Sequence, residues 1–353
     1  MRIRRVAGFL LLTFTLSWGY DALLVRLAGR EAFNSLAMPP WGMFVPAAAA
    51  LILELFFQSD QPLALRRGQS KAHWIVYAFL LLTALYALLP ILALLVPAQQ
   101  RLMQGLGTLL ITMWTLVVIF ISTQNSAVTM AGIGLGLGDT TIGVRFILAA
   151  AAYFLLSSLF NLAFGLGSLQ PVHERIMGIP IPSPFYIPAL LLLFLAVTVI
   201  GGPLSGLAST FGEEYGWRGF LLDGLRPLGW IPASLLTGLI WGIWHFPVIL
   251  RGIHTFPPTA AGILAGLMFF TLWGVLQSYA ALKTGSIWTA AFMHGVVNSV
   301  YAFSLTYLVR PETALRSFGL GWYGLGVLGV LVIFALRDPV FHEKAVQSSP
   351  RHA

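Results

Sequence analysis

Phe211-Gly212-Glu213-Glu214-Tyr215-Gly216-Trp217-Arg218-Gly219-Phe220 sets two adjacent carboxylates and a guanidinium between long apolar runs. Charge at membrane depth is costly, and where it persists it faces a bundle interior or a water-filled cavity and marks function. On a helix, Glu214 and Arg218 lie one turn apart and can pair. Glu213 then points about 100° away, because a helix advances 3.6 residues per turn, and is free for a different task. Gly212, Gly216 and Gly219 form a small-residue stripe that lets a neighbouring helix approach closely. Two later apolar stretches add polar groups. Trp241-Gly242-Ile243-Trp244-His245 ends in an imidazole, and His294-Gly295-Val296-Val297-Asn298 sets an imidazole and a carboxamide one turn apart on one helix face.

The surrounding composition sets the fold class. Of 353 residues, 58% are hydrophobic and 9% charged, with a mean hydropathy of +0.85. A soluble domain carries about 25% charge. Apolar runs of about 20 residues recur along the chain, the length that spans a bilayer. They predict an all-α, polytopic transmembrane helix bundle of about 8–10 spans, with the site in the C-terminal helices. A transmembrane β-barrel would alternate apolar and polar residues in segments of about 10, whereas these runs are continuously apolar.

Taken in order, the expected spans are about 6–27, 43–57, 73–97, 105–122, 143–166, 186–210, 230–250, 260–282, 286–309 and 318–336. Arg2, Arg4 and Arg5 before Val6 look like the start of a signal peptide, but no small-x-small cleavage site follows, so the first run reads as a retained span. Glu54, near the end of the second run, is expected to snorkel or pair at the interface. Pro90 predicts a kink in the third. The glycine-rich stretch Gly132 to Gly138 lacks the strand and the Lys-Ser/Thr pair of a phosphate loop and reads as a flexible or interfacial connector. His173 reads as a solvated loop residue. The helix carrying the two glutamates is expected to continue to about Leu225.

The net charge of +8 comes from basic residues scattered through loops rather than a basic helix with interleaved aromatics, which argues against nucleic acid as a partner. Ten spans put thirteen Lys and Arg on the side of the termini and seven on the other, so both termini are expected in the cytoplasm. There is no cysteine, hence no disulfide, thiol nucleophile or Cys-based metal site.

Carboxylates, imidazoles and a carboxamide on three separate helices suit water activation. A buried glutamate serves as a general base. A pair of histidines binds a metal or hydrogen-bonds a developing oxyanion, and an asparagine supplies a neutral donor. Other hydrolase signatures are absent: there is no His-Glu-x-x-His. Ser205, in Gly202-Pro203-Leu204-Ser205-Gly206, departs from the nucleophile elbow and reads as structural.

Glu213-Glu214-x-x-x-Arg218, aromatic-x-x-x-His at Trp241 to His245, and His294-x-x-x-Asn298 resemble, in order and spacing, the three-motif signature of the CPBP family of intramembrane endopeptidases (CAAX-protease and bacteriocin-processing, or Abi). The resemblance covers roughly residues 186–309. The family's second motif usually begins with Phe; here Trp241 keeps an aromatic, and the change is expected to touch packing alone.

The resemblance implies that Glu213 activates the attacking water, with Glu214 and Arg218 supporting and orienting it. His245 and His294 would flank the water or a metal, and Asn298 would help hold the oxyanion. Glu213, His245 and His294 could ligate zinc, or the same residues could work without a metal. A zinc-bound Glu213 could not easily also be the free base, so these are distinct mechanisms. On this reading residues 1–170 are N-terminal transmembrane helices of unassigned role, 180–310 a CPBP-like protease core, and 311–353 a final span and cytoplasmic tail. The implied partners are the lipid bilayer and a membrane-associated protein or peptide substrate. Two other readings stay open on sequence alone: a proton-coupled transporter using the acidic and imidazole groups as a relay, and a non-catalytic membrane scaffold or immunity protein.

Overall fold

The computed structural model describes residues 2–36, 41–57, 70–171, 175–176 and 178–343. His173, the polar loop with Arg66 and Arg67, and the tail from Lys344 lie outside them. In a bilayer every backbone N–H and C=O must be satisfied within the protein, so long apolar runs become helices. The chain follows that rule. Its longer helices are α1 (Arg2–Ala28), α2 (Trp41–Phe57), α3 (His73–Leu95), α4 (Gln100–Gln124), α5 (Thr140–Ala163), α6 (Ile187–Ser205), α7 (Leu207–Leu225), α8 (Trp230–Trp244), α9 (Ala260–Thr284), α10 (Ile287–Phe303) and α11 (Trp322–Ala335). All ten expected spans fall on helices.

Among the described residues, α1, α3, α4, α5, α6, α8 and α9 belong to helical segments long and apolar enough to cross a membrane, while α2 and α11 are shorter apolar helices. Among the described residues, four short strands are the exceptions to an all-α chain. β1 (Gly167–Leu169) pairs antiparallel with β4 (Val309–Pro311), tying the end of α5 to the end of α10, and β2 (Arg175–Ile176) pairs with β3 (Ile179–Pro180).

The helix bearing the two glutamates is not the tail of a spanning helix. The chain breaks after Ser205, and α7 starts afresh at Leu207. Every residue from Leu207 to Gly224 is buried. The middle of α7, Tyr215–Leu221, is wound as a π-helix, a rare winding that recurs at functional sites. The glycine stripe does what its spacing predicts. A Cβ on Gly212 would collide with the Met43 carbonyl oxygen, and one on Gly216 with Pro46, so α2 lies directly against α7.

Three expectations are corrected. Glu54 is buried rather than interfacial: it lies 3.3 Å from the Arg5 guanidinium and accepts a 2.8 Å hydrogen bond from the Tyr215 hydroxyl on α7. A carboxylate so far from water persists only when paired. The glycine-rich connector is pinned rather than free. Trp288 Nε1 donates to Leu135 O at 2.9 Å, Ser286 Oγ to Gly136 O at 2.8 Å, and the Asp139 amide to Thr284 O at 2.9 Å. Gly138, at φ +59°, permits this approach, since a Cβ there would strike the Thr284 carbonyl. Arg218 is a buried core residue and drops out of the loop-charge tally.

Candidate active site

Trp241, on α8, is the side chain around which the polar residues gather. Its indole Nε1–H donates a 2.6 Å hydrogen bond to Glu213 Oε2. The Arg218 guanidinium sits 4.4 Å over its ring, a cation–π contact. The Trp241 carbonyl accepts from His245 Nδ1 at 2.9 Å, and the His294 ring stands edge-on to the indole at 5.5 Å. α8 comes close enough because Gly238 and Gly242 flank Trp241: a Cβ on either would fall 2.7 Å from Thr271 O or 2.9 Å from Leu267 on α9.

Glu214 sits behind this arrangement. Arg218 Nη1 lies 3.0 and 2.9 Å from its two oxygens. Gln277 Nε2 of α9 donates to Oε1 at 3.0 Å, and His294 Nδ1 of α10 lies 2.8 Å from the same oxygen. All four side chains are buried. A buried carboxylate held by charge-assisted donors from three helices is a rigid post.

A cavity of about 440 Å³ opens in front. Glu213, Trp241, His245, His294 and Asn298 line it, while Glu214 and Arg218 do not. The six residues singled out in the sequence therefore divide into four that face the cavity and two that brace it. Asn298, one turn below His294, is exposed to the cavity. Ser205 is elsewhere, its hydroxyl donating to Gly202 O at 2.9 Å, in keeping with a structural role. The histidine tautomers follow from their partners. A carbonyl only accepts, so His245 Nδ1 carries the hydrogen and Nε2 keeps a lone pair. His294 Nδ1 donates likewise to the Glu214 carboxylate.

Two imidazole nitrogens and a carboxylate are suitable chemistry for zinc. Among the described residues, however, no three His, Cys, Asp or Glu side chains stand together so as to hold one ion, and Glu213 Oε2 is already taken by the indole. The arrangement does not fit a zinc held by Glu213, His245 and His294.

The cavity has walls that the three motifs do not predict. Ser17, Trp18 and Asp21 of α1 and Met43 of α2 line it. Trp18 Nε1 donates to Trp244 O at 3.1 Å, and Asp21 pairs with Arg251 at 2.8 Å. His254, in the loop between Leu250 and Ala260, also faces in. It stacks on Phe256 at 5.2 Å and stands 5.8 Å from the His245 ring. Burial pushes its pKa down to about 4, so it is neutral near pH 7. Gln277 and His254 carry no motif around them. The only sign in the sequence is a polar residue inside or beside an apolar run.

Residues 184–300 match the family described as type II CAAX prenyl endopeptidase, Rce1-like. A protein named CAAX prenyl protease 2 from Methanococcus maripaludis is 33% identical over 164 residues, which cover 45% of this chain. The chain spans about half the length of that curated relative (54%). No solved structure matches. The matched segment contains all three motifs and every cavity-facing polar residue they name.

Proposed function

We propose that this protein is an intramembrane endopeptidase that cleaves a membrane-embedded or membrane-anchored polypeptide with a glutamate-activated water. The observation that carries the reading is the division of the site: Glu213, His245, His294 and Asn298 face one cavity, and Glu214 with Arg218 braces it from behind.

In the proposed reaction, Glu213 Oε1 takes a proton from a water in the cavity as the water oxygen attacks the scissile carbonyl carbon. The Nε2 lone pair of His245 accepts the water's second hydrogen and orients it, with the His294 ring beside it. The Asn298 amide donates to the oxyanion that forms. The tetrahedral intermediate collapses, the C–N bond breaks, and Glu213 returns its proton to the leaving amine. Glu214 holds His294 in its tautomer, and Arg218 holds Glu214. An apolar cavity wall strengthens each of these interactions by excluding bulk water.

The test is cleavage of a membrane-peptide library by the purified protein, with Glu213→Gln alongside and with a strong chelator. Wild-type cleavage that falls at least a thousandfold in Glu213→Gln is expected, together with full activity in chelator. Cleavage surviving in Glu213→Gln would remove the general base from this scheme. Loss of activity in chelator, restored by zinc, would replace it with a metal mechanism.

A further inference from the structure

The CPBP pattern expects a phenylalanine where this chain has Trp241. The two rings pack alike, but only the indole has a hydrogen to donate, and here it lies 2.6 Å from Glu213 Oε2. The ring is buried and gripped on several sides. Phe270 meets it edge-on at 4.8 Å, the Arg218 guanidinium covers it at 4.4 Å, and Gly238 and Gly242 seat its helix on α9. Its N–H therefore has a fixed direction. A hydrogen bond to one carboxylate oxygen from a fixed donor sets the rotation of the whole carboxylate and leaves the other oxygen for water. Near-attack geometry is sensitive to misplacements of about 1 Å, so fixing that rotation bears on the rate and not only on packing.

We propose that Trp241 is a positioning residue whose indole N–H aims the Glu213 carboxylate at the water it activates, a task that phenylalanine at this position cannot perform. The proposal rests on the endopeptidase reading above. It acts through Glu213 and makes no contact with substrate part of its role.

The discriminating variant replaces Trp241 with β-(3-benzothienyl)alanine, which keeps the shape of the ring and has sulfur where the indole has N–H. Its kcat is expected to fall ten- to hundredfold, with KM within twofold of wild type and the melting temperature unchanged. That pattern marks an interaction used in the transition state rather than in substrate binding. Trp241→Phe is expected to lose at least as much. A second readout needs no activity. In protein labelled with ¹⁵N at the indole nitrogens, the Trp241 resonance, assigned by its disappearance in Trp241→Phe, is expected to move in Glu213→Ala.

Native kcat in the benzothienyl variant, with Glu213→Gln inactive, overturns the positioning role and leaves the endopeptidase reading standing. A Trp241 resonance that does not respond to Glu213→Ala overturns the contact itself. Wild type that cleaves none of the library sinks the endopeptidase reading, and the positioning role falls with it whatever the resonance does.

Discussion

The two halves of this molecule contribute to one cavity in different ways. The C-terminal half supplies the polar groups of the three motifs that face it, from α7, α8 and α10, and each stands in a recognisable spacing. The N-terminal half supplies a wall, through Ser17, Trp18, Asp21 and Met43, and a buried ion network of Arg5 and Glu54 braced against Tyr215 of α7. Both halves bury charge against α7, but to different depths. The Arg218–Glu214 pair is fully buried on both sides, while Arg5 keeps 13% of its side chain exposed to Glu54's 1%. The contrast shows that a helix without a motif can still line the cavity.

That contrast predicts the largest effect on stability. Breaking a buried pair from one side leaves an uncompensated charge and costs about 3–5 kcal/mol, whereas replacing both partners with apolar groups of similar volume is often neutral. Arg218→Met is therefore expected to lower the melting temperature in detergent sharply, and Glu214→Leu with Arg218→Met to recover much of the loss without recovering activity. Glu54→Gln keeps a hydrogen-bonding acceptor beside a partly hydrated Arg5. It is expected to cost about 1–3 kcal/mol, the scale of a hydrogen bond to a charged group rather than of a stranded buried charge. Equal losses in Arg218→Met and Glu54→Gln would erase the distinction between the halves.

A smaller, purely kinetic effect tests the wall. Trp18 reaches across from α1 to the Trp244 carbonyl, next to His245, and the loop beyond is held by Asp21 and Arg251. Trp18→Phe keeps the ring and removes the donor. It is expected to raise KM about three- to tenfold with kcat within twofold, since the wall meets substrate before and during reaction alike. A fall in kcat at unchanged KM would place α1 among the groups that act on the transition state and dissolve the division of labour.

The reasons the two halves differ in legibility are physical. Glu213, Glu214, Arg218, His245, His294 and Asn298 are expensive at membrane depth, so each is conspicuous in an apolar sequence. The bundle was equally legible, because run length alone dictates helices in a bilayer. The break at Gly206 and the π winding of α7 were not, since neither leaves a period in the sequence. The burial of Glu54 is hidden for a different reason. Its partners are 49 and 161 residues away, and proximity to the end of a span suggested an interface. Trp241 was read as packing because its N–H gains meaning only when Glu213 is seen within reach. Trp18 and Met43 are apolar residues in an apolar segment, indistinguishable by type from residues facing lipid.

His254 provides the most specific test of the cavity as one shared environment. It lies outside the spanning helices, stacked on Phe256, and burial holds its pKa at about 4 against an ordinary value of 6.5. Between pH 6.5 and 4 the unfolded chain binds a proton at this position and the folded protein does not. Stability therefore falls as pH drops through that window and is unaffected by this group above it. His254→Phe keeps a ring against Phe256 and removes the titrating group. Its melting temperature is expected to fall less than that of wild type between pH 7 and 4.5, by about 3 °C, the scale of about 2–3 kcal/mol in a chain of this size. Parallel curves for the two proteins would mean that His254 is hydrated, and that the cavity is open to water on that side rather than closed by α1 and the loop.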